Sequence, residues 1–493
     1  MKTISSGASA GEGQVATGLP ESFGRTHFGA AQLGDKRRTE RLVAVAEALV
    51  RHPGGTLPEK FREPSELEAL YHLMDCDEVT HARVLAPHRE RTLARCIAHD
   101  GPVLVLHDTT ELDFTKHRSL VDMGPIGNGS RRGWLCHQSL VVEPVQREVW
   151  GLANQILQPR AIVRKNESQK SRREREDRES RLWLAGTREL PAARHIVDVC
   201  DRGADTFEFL EHECQSGRTF VIRSCYSRAS QAEHTGDTPR SLLHDPAREW
   251  SAMGLTTREI PATRVVHKPK KKGAKTTTLR PHRTAQLQVA AAPLRVLAPA
   301  GKNGQHSNSP LPVWLVRVWE PAPPEAQEPL EWFLLTNHPV TTSEEALTVI
   351  SWYECRWIIE EFHKAQKTGC EIENPQFTSS DRLHPMIALL SVVAIFLLNL
   401  REAGRREDAS IRPASDIVAI EYVTLLSRWR HATPQPNWTI HDFHLALARL
   451  GGHQNRKHDH RPGWLILWRG WTYLQAMLDG AHAADGLERC AIT

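Results

Sequence analysis

Apolar and polar positions change rhythm several times along the chain. In LGDKRRTERLVAVAEALVRH (Leu33 to His52), Leu42, Val45, Ala46 and Leu49 recur three and four residues apart, which places them on one face of a helix. The first turns of that helix carry Lys36, Arg37, Arg38 and Arg41. Two more helices are predicted, around SELEALYHLMD and through THARVLAPHRERTLARCIA. Residues 1–77 therefore read as a small, basic, helical N-terminal domain, whose Gly/Ser-rich first 22 residues are expected to be disordered. In PVLVLHDTT the rhythm becomes that of a strand: Val103 to Leu106 is a short continuous apolar run that reaches Asp108. HQSLVVEPV and REVWGLANQIL read as further strands. The dense mixed charge between Arg164 and Arg188, with pairs such as Glu174 to Arg178, predicts a long exposed helix. HIVDVCDRGADTFEFLEH then repeats the earlier pattern, with strand Ile196 to Val199, Asp201 at its end, and a helix after the turn at Gly203.

From about Thr219 to Asn337 the texture is β, with Pro- and Lys-rich turns such as Lys268 to Lys275 between strands. YECRWIIEEFHKAQKTG (Tyr353 to Gly369) has no Pro or internal Gly and predicts one helix. The apolar run Met386 to Leu398 is interrupted by Ser391 and too short to cross a bilayer, so it reads as a buried helix and no membrane partner is expected. The fold class is thus α/β, with a central domain at 78–395, a β-rich insertion at about 222–338, and a helical C-terminal domain at 396–493.

Charge changes this picture only locally. The net charge of +4 comes from 63 basic and 59 acidic residues, so basic patches are compatible with nucleic acid. Nine cysteines without a CxxC pair signal neither zinc nor a disulfide framework, and the N-terminus lacks the apolar core of a signal peptide. A cytoplasmic setting is expected.

The chemistry lies in the stretch from Tyr353. Tyr353, Arg356, Glu360, Lys364 and Lys367 fall on one face of the predicted helix, whereas Glu361 points off it. Such a stripe is either a solvated face of ion pairs or a carboxylate set among phosphate-holding groups. Two strand-end aspartates favour the second reading. Asp108, Asp201 and Glu360 would gather at one sheet edge and could hold two Mg2+ or Mn2+ ions by hard oxygen ligands. Arg356, Lys364 and Lys367 would then hold phosphates. A non-catalytic DNA-binding protein, a nuclease that never joins strands, and a glycosidase using paired carboxylates are the alternatives.

The order Tyr353, Arg356, Glu360, Lys367 resembles the signature of the insertion-sequence-four transposases. LGDKRRTERL, the DTT at Asp108, VCDRGAD around Asp201, ARLGG and PGWLILWRGW resemble that family too, over residues 28–485. The resemblance implies an RNase H-like catalytic core with Asp108, Asp201 and Glu360 as catalytic and metal-binding triad. It implies a β-rich insertion between Asp201 and Glu360, an N-terminal domain that binds transposon ends, and C-terminal helices that dimerise. It implies a cut-and-paste DNA transposase acting on terminal repeats and target DNA, cytoplasmic and associated with the bacterial nucleoid. Residues expected at DNA are Tyr353, Arg356, Trp357, Lys364, Lys367 and Trp332, the last as acceptor of a flipped base, together with Lys36, Arg37, Arg38 and Arg41. The chain departs from the family pattern in its longer N-terminal tail, its basic turn at Lys268 to Lys275, and Gly203, where an acidic residue is expected.

Overall fold

The computed structural model describes all residues except 1–19, 53, 62, 128, 163–165, 169–170, 172–173, 233–240, 261–262, 268–275, 281, 300–305, 326, 328, 457–458, 460 and 492–493. The first 19 residues and the basic turn 268–275 therefore lie outside the described residues. The rest divides into two compact units. One holds the described residues up to His88 with Lys364–Gln376 and those from Asp381 onward; the other holds Arg89–His363 and Phe377–Ser380.

The second unit is built on a mixed α/β sheet. Its strands are β1 (Val103–Asp113), β2 (Gly124–Pro125), β3 (Arg132–Glu143), β4 (Glu148–Gln158), β5 (Ile196–Cys200), β6 (Thr219–Arg223), β7 (Ala229–Ala232), β8 (Ser241–Leu242), β9 (Gly254–Ile260), β10 (Thr263–His267), β11 (Thr276–Arg280), β12 (Arg283–Val296), β13 (Leu311–Trp319) and β14 (Glu331–Thr336). The spatial order begins β4-β3-β1-β5-β6. Antiparallel pairing joins β4, β3 and β1, and parallel pairing joins β1, β5 and β6. Of the strands between 222 and 338, β14, β13, β12, β7, β8 and β9 continue this sheet, because β14 hydrogen-bonds antiparallel to β6 and leads on to β13 and β12, whereas β10 and β11 pair with each other as a separate two-stranded ribbon. One apolar cluster runs from Leu135 and Cys200 through Phe220 and Ile222 to Leu315, Phe333 and Leu335, so the early and late strands share a core. Pro293 sits inside β12 opposite Trp314, between the stretches that pair with β9 and β7, where its missing N–H costs no ladder bond.

Three elements differ from the sequence reading. β1 continues past Asp108 to Asp113, because β3 still pairs with it there although the parallel partner β5 ends opposite His107. Its residues go from buried to half-buried at that point, which hid the extension from an apolar-run criterion. The charged stretch before Arg188 is not one long helix: among its described residues, turns at 176–177 and 179–180 separate the helical residues 171 and 174 from the helix Arg181–Thr187. There Arg175 pairs with Asp177 and Arg181 with Glu176 close by in sequence, while Arg178 and Arg181 also reach Glu208 on the next α-helix, so the charges are shared between local and tertiary partners. The single helix expected over 353–369 is broken. Ser343–Glu354 ends, Cys355 and Arg356 form a turn, Trp357–Lys364 restarts, and Ala365–Gly369 is a π-turn. The bonds Arg356 N–H to Tyr353 O and Ile359 N–H to Arg356 O are the i−3 contacts of a tightened junction. The break buries Trp352 and Tyr353 on one side and Ile358, Ile359 and Phe362 on the other.

In the first unit, helix Lys36–Arg51 is capped by Asp35, whose carboxylate accepts from the Arg37 N–H, and buries Leu42, Val45, Ala46 and Leu49. The apolar run near Leu390 belongs to helix Ser380–Ala403, long and apolar enough to span a membrane, but 89% of its most apolar window is buried inside the protein. Its Phe396 packs edge-on against Phe23 and Trp471, so N- and C-terminal helices share one core.

Candidate active site

The site of the second unit is built on β1 and β5. Because these strands are parallel and in register through His107 and Cys200, the next residue on each, Asp108 and Asp201, emerges at the same end. Asp201 leaves the strand to cap the short 3-10 turn Arg202–Ala204, its Oδ1 accepting from Gly203 N–H at 2.9 Å. A Cβ on residue 203 would lie 2.5 Å from the Trp183 ring, which explains a glycine there. Asp108 Oδ1 accepts from the Thr109 N–H at 2.8 Å.

The turn at Cys355–Arg356 supplies the third wall. Arg356 Nη1 donates to Asp108 Oδ2 and Nη2 to Glu360 Oε1, each at 3.2 Å. One guanidinium thus bridges two carboxylates far apart in sequence. Burial, reinforced by the charge of Asp201, pushes the Asp108 carboxyl up to about 7 despite Arg356. Burial also raises Asp201, against the pull of the Gly203 N–H and Arg356. The raised carboxyls of Asp108 and Asp201 show that Arg356 does not fully offset the acids gathered here, a deficit that a divalent cation bound by oxygen ligands would make good. The donor set therefore fits Mg2+ or Mn2+. Nearby Asp205 shows the contrast: its carboxylate accepts from the N–H groups of Cys225 and Tyr226 and from Arg228, so it is committed to the fold.

The other expected residues fall in three groups. Tyr353 is buried at the end of its helix, its ring 6.2 Å from that of Trp332. Trp332 itself is only 8% exposed and lies under the Arg258 guanidinium, 4.3 Å from the ring centre. Trp357 is well exposed. Lys364 is exposed at its helix end and Lys367 sits in the π-turn, 3.8 Å from Glu373. Because of the helix break, the five residues do not share one continuous helical face. In the first unit Lys36, Arg37 and Arg41 are exposed, whereas Arg38 is half-buried and donates to Leu33 O at 2.9 Å.

One residue at the site was missed. Ligand-capable atoms of Asp108, Glu360 and His363 all lie within 4.8 Å of one another. The signal was in the sequence as Glu-x-x-His, a spacing that puts both side chains on one helix face.

Residues 20–79 match the family model described as Transposase DNA-binding. The exposed basic residues at the start of helix Lys36–Arg51 lie within that match. The chain thus contains a domain similar to those with which transposases bind DNA.

Proposed function

We propose that the protein is a cut-and-paste DNA transposase of the insertion-sequence-four type. The observation that carries this reading is the meeting of Asp108 and Glu360 at one guanidinium, with Asp201 following Cys200, the strand partner of His107. The match of residues 20–79 supplies DNA as the partner. The strand order β4-β3-β1-β5-β6 agrees with an RNase H-like core.

Asp108, Asp201 and Glu360 would hold Mg2+ or Mn2+, two ions per site, a group that supplies Lewis acidity at the phosphodiester. Arg356 offsets acid charge while the site is without DNA and would turn its fork to a phosphate when DNA arrives. Tyr353, Trp357, Lys364 and Lys367 would hold the backbone of the bound end, and Lys36, Arg37, Arg38 and Arg41 would contact the terminal repeat. Water cleaves one strand to free a 3′-hydroxyl; that hydroxyl attacks the opposite strand and closes a hairpin. A second water opens the hairpin, and the 3′-hydroxyl attacks target DNA. Every step is an in-line substitution at phosphorus, so one set of residues serves all four. Two protomers would pair two ends, on nucleoid DNA in the cytoplasm.

The test is incubation of the full-length protein with DNA bearing candidate terminal repeats and Mg2+, scored for excised and joined products. Cleaved ends that are never joined would instead identify a nuclease. Replacing Lys36, Arg37 and Arg41 together by Ala should weaken end binding and flatten its salt dependence by about 0.9 per lost phosphate contact. Unchanged binding would remove this helix from the DNA interface.

A further inference from the structure

We propose that His363 is a nitrogen ligand of the ion held by Asp108 and Glu360, so that the site takes Mn2+ in preference to Mg2+. The inference rests on the metal-dependent reading above but goes beyond its all-carboxylate donor set.

The geometry comes first. Glu360 and His363 are three residues apart on helix Trp357–Lys364 and project from the same face. With Asp108 they offer donor atoms that all lie within 4.8 Å of one another. An ion bound at about 2.0–2.2 Å needs its donors roughly 3–4.4 Å apart, so only small side-chain adjustments separate this arrangement from ligation. His363 is 7% exposed, so its ring is held by packing and loses little freedom on binding a metal.

The chemistry then selects the ion. Mg2+ is hard, dehydrates reluctantly and is held mainly by carboxylates and water. Imidazole is a softer donor that suits first-row transition ions, and affinities of mixed N/O sites rise from Mn2+ onward along that series. Two carboxylates and one imidazole therefore favour Mn2+ over Mg2+ in a way that three carboxylates do not. The alternative is a core histidine whose ring merely packs beside the site.

The experiment is Mn2+ binding to the full-length protein without DNA, followed by electron paramagnetic resonance, with electron spin echo envelope modulation to detect nitrogen. We expect nitrogen coupling to bound Mn2+ that changes on labelling the histidines with 15N. His363→Gln should abolish the coupling and weaken Mn2+ by at least about the 10- to 100-fold typical of a lost metal-site partner, with a smaller effect on Mg2+ measured by competition. Because the wild-type spectrum alone reports nitrogen ligation, a poorly folding variant leaves the proposal open to refutation. If Mn2+ binds in a manner dependent on Asp108 and Glu360 but without nitrogen coupling, His363 is a packing residue and the carboxylate site stands. If Mn2+ binding does not depend on Asp108 and Glu360, both readings fall.

Discussion

Two clusters of charge share strands β1 and β5 and behave in opposite ways. The inner one is made of His107, Asp198, Arg218 and Glu213, with side chains between 0% and 3% exposed. His107 Nε2 and Asp198 Oδ1 are 2.8 Å apart, Arg218 clamps the other Asp198 oxygen and reaches Glu213, and Ser139 Oγ meets the remaining His107 nitrogen at 3.1 Å. Burial works against the Asp198 charge, but the His107 contact and Arg218 together hold its carboxyl below the ordinary range. Glu213 goes the other way: burial and the charge of Asp198 push it well up, which favours its neutral form. Its members are thus paired with one another inside the fold. The outer cluster begins one residue further along β1, where Arg356 bridges Asp108 and Glu360 and burial raises the carboxyls of Asp108 and Asp201. It is partly open, with Glu360 37% exposed. A charge group sealed and paired among its own members is a structural device. One whose acids are not fully offset at an opening is suited to bind what it lacks.

The comparison breaks if the two clusters respond alike to mutation. Replacing Asp108, Asp201 or Glu360 by Ala should reduce DNA cleavage below detection while end binding and thermal midpoint stay near wild type. Normal cleavage by Glu360→Ala would transfer the role to Glu361 or another acid. Replacing Asp198 by Ala should do the reverse and act through folding, because it strands Arg218 in the core. The expected loss is about 3–5 kcal/mol of stability by chemical denaturation; a stable, fully folded Asp198→Ala protein would show that the inner cluster is not structural.

A smaller effect sharpens the contrast. Mn2+ or Mg2+ at a hundred times its dissociation constant should stabilise the wild-type protein by about 2.7 kcal/mol, and chelator should remove the gain. Asp201→Asn should be at least as stable as wild type in chelator, since it removes a charge that repels Asp108, and should show a reduced response to metal. An undiminished response would take Asp201 out of the metal site.

The smallest effect concerns Trp332, which lies in neither cluster. As a base acceptor it would return about 1–3 kcal/mol of stacking, so Trp332→Ala should slow hairpin closure about 10- to 100-fold and leave first nicking unchanged. Since Arg258 covers the ring, Arg258→Ala should change the same step alone. Equal slowing of nicking and hairpin closure, or loss of about 3–5 kcal/mol of stability, would make Trp332 a core residue.

Periodicity and local chemistry determined a good deal by themselves. The apolar runs into Asp108 and Asp201, the capped amphipathic helix Lys36–Arg51 and the β texture after Thr219 are short-range patterns, and each formed its element. What the sequence could not decide depends on partners distant along the chain. β1 runs past Asp108 because β3 pairs with it, and the helix after Tyr353 breaks although no Pro or Gly marks the place. That break turns Arg356 toward two carboxylates instead of along a stripe of lysines, and it brings His363 to Asp108. Trp332 is covered by an arginine from β9, and Phe23 packs against Phe396 in a core that joins the two ends of the chain. The physical reason is the same in each case. Burial and charge pairing reward contacts in space whatever their separation in sequence, and they outweigh the few tenths of a kcal/mol by which a local helical pattern is preferred (roughly 0.2–0.5 kcal/mol per i,i+4 pair).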